Sequence, residues 1–296
     1  MQKISTIVRL IRVEQWVKNL LIFFPILFAF DFSDYRLFIS AGIAAIGFSF
    51  IASSIYVIND LCDIETDRAH PSKKNRPLAS GAVSKSEAII LIATSVLIAL
   101  AFYTLYLKNI SATVLLLVYF FLNLAYSFKL KQIAIIDVVV VATGFVIRIV
   151  IGGMVTNTHL SHWIVILTFL LALLLALGKR RDDVLIYEET KTLTRKSIQG
   201  YNIDFLNVMI TLLTIAILVS YIMYTVSPDI VARHGNHLYI SSLFVLLGLM
   251  RYLQIIYVKK EGGDPTAILI RDHAMHFIIA GWVISFFFIA YLENDL

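Results

Sequence analysis

Long apolar segments constrain the fold of this chain more than any other feature. Nine stretches are long enough, or nearly so, to cross about 30 Å of hydrocarbon as helices. They lie near residues 17–33, 37–58, 86–107, 111–128, 133–151, 162–178, 205–226, 238–258 and 274–292. Only 15% of the residues are charged and the mean hydropathy is +0.84, a balance that excludes an ordinary soluble domain. The sequence therefore predicts an all-α, polytopic membrane bundle of nine transmembrane helices.

The connections between these segments indicate how the chain is organised. Only the 59–85 and 179–204 connections are long, and both are charged, which is typical of functional loops. The other connections are short, so we predict a single domain over residues 1–296. Residues 1–14 precede the first span, and their pattern of isoleucines opposite arginines predicts an amphipathic helix at the membrane surface.

The Lys and Arg side chains predict the orientation of the chain. With nine spans, the N-terminus and both long loops lie on one side of the membrane and the C-terminus on the other. Most of the 25 Lys and Arg residues fall on the side of the long loops, and the exceptions are Arg36, Lys108, Arg148, Arg233 and Arg251. An excess of these residues marks the cytoplasmic side. We therefore expect an integral protein of the cell (inner) membrane whose N-terminus and active site face the cytoplasm and whose C-terminus lies outside.

The net charge of +5 bears on the partners of the chain. This charge is accounted for by membrane topology and by anionic lipids or substrates, and no nucleic-acid-binding motif accompanies it. The expected partners are therefore the bilayer and anionic molecules, with no nucleic acid, and a homo-oligomer is compatible with the sequence. The single cysteine, Cys62, cannot form a disulfide within the chain.

A cluster of acidic residues follows the second apolar segment. On a helix, Asn59, Asp63 and Asp67 share one face, with Asp60 beside them, so their oxygen atoms converge. Oxygen ligands of this kind suit Mg²⁺, or Mn²⁺ in its place, which proteins hold with one or two carboxylates and the phosphates of a substrate. We predict that Asp60, Asp63 and Asp67 are catalytic and that all four residues are metal ligands. The alternative is a charged, solvated loop between membrane helices.

Basic residues accompany the acidic cluster and supply cations for phosphate oxygens. Some follow it at once, and others lie at the end of the sixth span or in the loop after it. Here the alternative is a positive-inside stop signal after an apolar run, above all for Lys179. Arg148 lies within the fifth span, where a charge is costly unless it is paired or faces a wet cavity, so it either contacts substrate or pairs with an acid such as Asp137. The predicted substrate-binding residues are Lys18, Arg68, Lys73, Arg76, Tyr126, Lys129, Arg148, Lys179, Arg180, Arg195 and Lys196.

The acidic motif carries a family resemblance. The pattern Asn59-Asp60-x-x-Asp63-x-x-x-Asp67, followed by Lys73-x-x-Arg76-Pro77, resembles the first signature of the UbiA-type intramembrane prenyltransferases. The resemblance implies nine helices around a central cavity and Mg²⁺ that clamps a diphosphate against aspartates from two loops. The second loop departs from the family pattern. Most members carry a second aspartate pair there, whereas this chain has Ile186 and Tyr187 four residues after its two aspartates, and Lys179-Arg180 before them.

This departure is similar to one branch of the superfamily, the polyprenyl-phosphate (decaprenyl-phosphate) phosphoribosyltransferases. The segments Gln15–Asn19, Gly178–Arg180 and Arg195–Ser197 carry the similarity together with the acidic motif. It implies transfer of 5-phosphoribose from phosphoribosyl pyrophosphate to a polyprenyl phosphate, with Mg²⁺ on the pyrophosphate and the basic residues positioning two anions. Two alternatives remain open. A prenyltransferase that uses a prenyl diphosphate would share the first motif, and a membrane transporter would account for Arg148.

Overall fold

The structure, a computed structural model, describes residues 2–29, 34–69, 73–191, 195–259, 268 and 271–294. Within these ranges every regular element is helical, which confirms the all-α prediction for them. The α-helices are α1 (Gln2–Leu10), α2 (Phe24–Ala29), α3 (Tyr35–Cys62), α4 (Ile64–Ala69), α5 (Lys85–Ala101), α6 (Ile110–Phe128), α7 (Ile136–Thr156), α8 (His162–Thr190), α9 (Ile203–Thr225), α10 (Pro228–His234), α11 (Ser242–Gln254) and α12 (His273–Asn294). Short 3₁₀ segments lie between several of them, and π-helical turns at Phe102–Tyr106 and Ile255–Lys259 extend α5 and α11.

Eight helices in the described ranges are long and apolar enough to cross a membrane. They are Tyr35–Cys62, Lys85–Tyr106, Ile110–Phe128, Ile136–Thr156, His162–Thr190, Ile203–Thr225, Leu238–Lys259 and His273–Leu292. The ninth predicted span, residues 17–33, is different, because a 3₁₀ segment (Val13–Phe23) and the short α2 cover most of it and residues 30–33 lie outside the described ranges. The count of nine is therefore not confirmed, although eight of the predicted spans are.

Polar residues at the N-cap positions explain where several spans begin. Asp34, Asn109, Ser161 and Asn202 each accept a hydrogen bond from a backbone N–H in the first turn of the helix that follows. Ser84 forms a reciprocal capping box with a glutamate three residues later. These side chains satisfy N–H groups that have no partner within the helix, and they end the preceding loop at a defined residue.

Both connections predicted as long loops contain more helix than expected. In the first, α3 continues to Cys62 and α4 follows at once, before a 3₁₀ turn at Lys73–Asn75. In the second, α8 does not end at residue 178 but continues to Thr190, where Lys191 adopts a left-handed conformation. The prediction of a loop from residue 179 was therefore wrong. The charged residues after 178 end the apolar pattern, but most of them favour the helical conformation.

The chain divides into two compact units, each with its own core. The first unit comprises Met1–Lys131 and Thr143–Leu160. In it α3 is the central helix and packs against α5 and α6, with Phe48, Tyr103 and Leu116 fully buried. The predicted surface helix is shorter than residues 1–14, because α1 ends at Leu10, which is buried in a small apolar cluster at the end of α3.

The second unit comprises Gln132–Ala142 and Ser161–Leu296. Here α8 and α9 form the most extensive helix pair, and α11 packs against both α9 and α12. Leu174, Leu206, Ile210 and Ile255 lie at the centre of its apolar core. Each unit positions one group of charged residues at its helix ends. The single-domain organisation stays a prediction.

Candidate active site

Two of the predicted catalytic aspartates are joined by one arginine. Asp60 lies in the last turn of α3 and Asp67 in α4, seven residues later, which places both on the same side of the chain after two helical turns. Nη1 of Arg76 donates to Oδ1 of Asp60 at 3.1 Å and to Oδ2 of Asp67 at 2.7 Å. Nη2 of Arg12 donates to the same Oδ1 of Asp60 at 2.6 Å. Two buried carboxylates are therefore neutralised by two guanidinium groups.

The other two predicted ligands form a second pair. Although α3 ends at Cys62, the N–H of Asp63 still donates to the carbonyl of Asn59, at 3.0 Å, so the two residues stay one helical turn apart. Nζ of Lys131 lies 2.9 Å from both carboxylate oxygens of Asp63 and 3.1 Å from Oδ1 of Asn59. Nδ2 of Asn59 donates to Asp63 at 3.2 Å. An ammonium group thus occupies a cage of three oxygen atoms.

The four predicted metal ligands consequently form two pairs rather than one convergent set. Asn59 with Asp63 and Asp60 with Asp67 lie on neighbouring stripes of the helical segment, and each pair binds its own cations. Among the described residues, no group of three or more His, Cys, Asp and Glu side chains has the arrangement of a metal site. The donor atoms nevertheless suit a hard cation such as Mg²⁺, because oxygen atoms already bind cationic nitrogen atoms in both pairs. These oxygens come from carboxylates in one pair and from a carboxylate and an amide in the other.

The remaining predicted binding residues of the first unit lie around this cluster at different depths. Arg76 lies directly on the acids and bonds both Asp60 and Asp67. Arg68 is exposed and donates to the carbonyl of Ala79 at 3.2 Å and to Glu65 at 3.2 Å. Lys18, Lys73 and Tyr126 are half-buried, and Lys129 is exposed at the end of α6.

Arg148 is buried in α7 and is held by neutral acceptors. Its Nε donates to Oδ1 of Asn19 at 2.8 Å, its Nη1 to the carbonyl of Gly144 at 2.6 Å and its Nη2 to the hydroxyl of Tyr119 at 3.1 Å. The guanidinium carbon also lies 4.6 Å from the ring centre of Phe48. Of the two alternatives for Arg148, the pairing with Asp137 is wrong, because Asp137 is bonded to other residues.

Asp137 is fully buried at the start of α7 and organises the charged residues of the second unit. Its Oδ2 accepts from Nε of Arg180 at 2.7 Å and from the hydroxyl of Ser197 at 3.1 Å. Its Oδ1 accepts from the hydroxyl of Tyr201 at 2.7 Å. Burial and the bond to Asp137 raise the pKa of Tyr201, so this phenol stays protonated and remains a donor. Arg180 also pairs with Asp183.

The cations of the second unit therefore differ in exposure. Lys179 is exposed, whereas Arg180 and Arg181 are buried. Arg181 donates to Asn207 at 2.8 Å and to the carbonyl of Ile256 in the π-helical turn at 3.0 Å. After the segment 192–194, which lies outside the described residues, Arg195 is half-buried and Lys196 is exposed.

Sequence reasoning missed Arg12 and Lys131, the two cations that complete the acidic cluster. Arg12 was assigned to the membrane-surface helix, and Lys131 lies in a short turn beside the predicted Lys129. Charge balance was the signal available in the sequence. Buried carboxylates are almost always paired, so three aspartates at the end of an apolar helix require more cations than Arg76 alone.

Comparison with known proteins places this site in a family. The chain matches the UbiA prenyltransferase family over residues 20–278, a range that contains the acidic cluster and Arg180. The chain belongs to the UbiA prenyltransferase family. This UbiA-family chain is an integral membrane protein, as its eight apolar helices also indicate.

Two relatives are similar over nearly their whole length. The UbiA-family chain is 30% identical to a decaprenyl-phosphate phosphoribosyltransferase from Mycolicibacterium smegmatis, over 95% of this chain and 91% of the relative. It is also 30% identical to the protein of the same name from Mycobacterium tuberculosis, over 95% of this chain and 92% of that protein. A solved UbiA homolog from Archaeoglobus fulgidus, bound to DMAPP and Mg²⁺, shares the fold with a TM-score of 0.70 and 18% identity, over 95% of this chain and 99% of that one.

Proposed function

We propose that this protein transfers 5-phosphoribose from phosphoribosyl pyrophosphate to the phosphate of a polyprenyl phosphate and releases pyrophosphate. The similarity to two decaprenyl-phosphate phosphoribosyltransferases over 95% of the chain is the observation that carries the proposal. The second charged segment supports it. Ile186 and Tyr187 stand where a prenyl-diphosphate enzyme of the family would carry carboxylates, and Tyr187 packs against the apolar core of its unit.

The acidic cluster is the proposed binding site for the metal and the pyrophosphate. Asn59, Asp60, Asp63 and Asp67 offer the carboxylate and amide oxygens that Mg²⁺ or Mn²⁺ prefers. A bound divalent ion would neutralise the charge that develops on the pyrophosphate as its bond to the anomeric carbon breaks. Arg76, which already bridges two of the carboxylates, is placed to donate to phosphate oxygens beside them.

The chemistry of the acceptor requires positioning rather than a base. A phosphate monoester is anionic at neutral pH, so no side chain has to remove a proton from it. One of its oxygen atoms forms a bond to the anomeric carbon, while pyrophosphate leaves with the electron pair of the bond that breaks. The acceptor and the donor repel each other, and cationic side chains overcome this repulsion. Lys179, Arg195 and Lys196 are proposed to bind substrate phosphate, whereas Arg180 is bonded to Asp137 and Asp183.

The distribution of Lys and Arg supports a cytoplasmic site. We propose that the acidic cluster and the N-terminus face the cytoplasm and that the C-terminus lies outside. Phosphoribosyl pyrophosphate is a soluble molecule, so a site on this side would meet its donor directly. The polyprenyl chain would stay in the bilayer, against the apolar surfaces of the spans. Association into a homo-oligomer stays a prediction.

Prenyl transfer is the second candidate function. The family description and the solved homolog that holds DMAPP and Mg²⁺ favour it. In this case the acidic cluster would bind a prenyl diphosphate, and the acceptor would be an aromatic or other small molecule.

One assay separates the two functions. Purified protein in lipid nanodiscs with Mg²⁺ is supplied with ribose-labelled phosphoribosyl pyrophosphate and with or without decaprenyl phosphate. We expect a labelled lipid that forms only with decaprenyl phosphate and releases its label in mild acid, because an anomeric phosphate is acid-labile. Parallel reactions contain geranyl diphosphate and 4-hydroxybenzoate. A prenylated aromatic product without labelled lipid would overturn the proposal in favour of prenyl transfer.

A further inference from the structure

The acidic cluster is charge-balanced by residues of the chain itself. Its three aspartates face three cations, Arg12, Arg76 and Lys131. Oδ1 of Asp60 accepts from two guanidinium groups at once, and Nζ of Lys131 is surrounded by three oxygen atoms. Asp60 and Asp67 are also buried, so the cluster is not a charged, solvated loop.

These contacts compete directly with metal binding. A carboxylate oxygen that accepts two charge-assisted hydrogen bonds has both lone pairs engaged, so a divalent ion reaches it only when one donor leaves. Lys131 likewise occupies the oxygen cage that Asn59 and Asp63 would offer to a metal. Metal ions without substrate therefore meet a site in which every one of the four predicted ligands already has an oxygen atom bonded to a cation of the chain.

Of the two arginines on Asp60, Arg12 is the one that can leave. Arg76 is also bonded to Asp67, whereas Arg12 bonds Asp60 alone among the described carboxylates. The guanidinium carbon of Arg12 lies 4.9 Å from the ring centre of Tyr56, and this cation–π contact would still stabilise the cation after it leaves Asp60. The side chain of Arg12 would then move while its backbone stays in place.

The backbone around Arg12 is fixed on both sides. Arg12 adopts a left-handed conformation with φ of 52°, between α1 and the 3₁₀ segment. The carbonyl of Ile11 accepts from the hydroxyl of Ser53 at 2.8 Å, and Nε1 of Trp16 donates to the same hydroxyl at 3.0 Å. A strained conformation held by its surroundings is frequent at functional sites. This backbone conformation keeps the Arg12 side chain beside Asp60.

We infer that Arg12 and Lys131 are diphosphate-binding residues that exchange partners when substrate enters. Without substrate they hold Asp60 and Asp63. When a metal-bound diphosphate enters, the aspartates bind the metal and the two cations bind phosphate oxygens. Metal and diphosphate therefore bind cooperatively, and each binds weakly alone. The inference rests on the proposed use of a metal-bound diphosphate, but not on whether that diphosphate carries ribose or a prenyl group.

The test measures two affinities of the full chain in nanodiscs. Binding of Mn²⁺ alone is followed by electron paramagnetic resonance, and binding of inorganic pyrophosphate at saturating Mn²⁺ by calorimetry. Arg12→Gln and Lys131→Gln are compared with Arg9→Gln and Lys85→Gln, two exposed cations of the same unit. We expect each test variant to bind Mn²⁺ alone at least about threefold more tightly and pyrophosphate at least about tenfold more weakly, with no change in the controls.

The opposite signs of the two changes distinguish exchange from a structural role. If the cations only maintained the fold, both affinities would fall together, and if they took no part, neither would change. Either result would overturn the inference. Arg12→Lys guards against misfolding, because it keeps a cation beside Asp60. Since an ammonium group binds phosphate as a point charge, this variant should bind pyrophosphate more tightly than Arg12→Gln does. If the protein forms phosphoribosylated lipid but neither affinity changes in the Arg12 and Lys131 variants, the proposed function stands and the exchange is refuted.

Discussion

Nε of Arg180 lies 2.7 Å from Oδ2 of Asp137, and the two side chains are only 5% and 0% exposed. With Ser197 and Tyr201 also bonded to Asp137, the pair ties α8 to the start of α7 and to the 3₁₀ turn that follows Arg195. The sequence had assigned Arg180 to phosphate binding together with its neighbour Lys179. The structure separates the two residues, because one is buried in an ion pair and the other is exposed.

This separation predicts different consequences for neighbouring substitutions. Arg180→Gln leaves the buried Asp137 without a cation, and Asp137→Asn leaves Arg180 paired with Asp183. Each substitution breaks a buried pair, which typically costs about 3–5 kcal/mol. We expect both to lower the unfolding temperature, measured by intrinsic fluorescence in detergent. Lys179→Gln is the control and should leave this temperature unchanged, since exposed charges contribute about 0–1 kcal/mol, while it raises the KM for polyprenyl phosphate. Equal losses of stability in Lys179→Gln and Arg180→Gln would contradict this assignment.

The acidic cluster makes a prediction about activity. Asp60→Ala, Asp63→Ala and Asp67→Ala should each reduce turnover at least about a hundredfold, the scale of losing a main electrostatic stabiliser. Excess EDTA should abolish activity, and added Mg²⁺ should restore it. Glu65→Gln is the matched control. Glu65 lies between Asp63 and Asp67 in the sequence, but its carboxylate is exposed and is bonded only to Arg68 among the described cations. Full turnover in the Asp63 variant or in EDTA would exclude a metal role for the cluster.

Apolar periodicity and length were sufficient to predict most of the membrane helices. The predicted span 111–128, for example, is α6, Ile110–Phe128. The end of α8 could not be predicted in this way, because hydropathy marks the end of the apolar segment and not the end of the helix. The helix itself continues as long as backbone hydrogen bonds are available, here to Thr190.

The acids of the site were predicted from local spacing, and their partners were not. Asn59, Asp60, Asp63 and Asp67 lie within nine positions of each other, so helical geometry relates them directly. Arg12 and Lys131 reach the cluster from 48 and 68 positions away. The partners of Arg148 and Asp137 could not be predicted from local spacing either. Arg148 was recognised as a buried charge that needs a partner, and Asp137 was named only as a candidate for that partner. Which partner each one has depends on how the helices pack.

Arg148 predicts that the shape of the cation matters as well as its charge. Its three nitrogen atoms reach three separate acceptors, on Asn19, Tyr119 and the backbone of Gly144. The ammonium group of Arg148→Lys cannot span them, so buried acceptors lose their donors at about 1–3 kcal/mol each. We expect a clear fall in unfolding temperature, whereas the exposed Arg36→Lys should have none. An unchanged unfolding temperature in Arg148→Lys would show that charge alone is sufficient there.

Gly152 predicts a close approach of α7 to the first 3₁₀ segment. A Cβ atom at this position would overlap the carbonyl oxygen of Ile22, which cannot move as a side chain can. Gly152→Ala should therefore destabilise the protein by about 1–3 kcal/mol or more. At Gly42 in α3 the nearest atom to such a Cβ is 3.9 Å away. Gly42→Ala should then be neutral or stabilising by up to about 1 kcal/mol, because alanine favours the helix. Similar thermal stability of the two variants would refute the close approach.

The second unit offers a reciprocal test at Gly178 and Tyr252. A Cβ atom at Gly178 would overlap the hydroxyl of Tyr252, and within the described residues this buried hydroxyl has no hydrogen-bond partner. Gly178→Ala alone should lower stability by about 1–3 kcal/mol. Tyr252→Phe removes the obstructing atom together with a buried polar group that lacks a partner, so alone it should be neutral or slightly stabilising.

The double variant decides whether the two positions act through this contact. Gly178→Ala/Tyr252→Phe should recover most of the stability that Gly178→Ala loses, because the atom that a Cβ would overlap is gone and the next nearest atoms are the flexible end of Ile256 and a ring carbon. The coupling energy between the substitutions, obtained from the four unfolding temperatures, should therefore favour the double variant by at least about 1 kcal/mol. Simple additivity of the two effects would mean that the hydroxyl of Tyr252 does not lie against Gly178 and that the α8–α11 contact is looser than the structure shows.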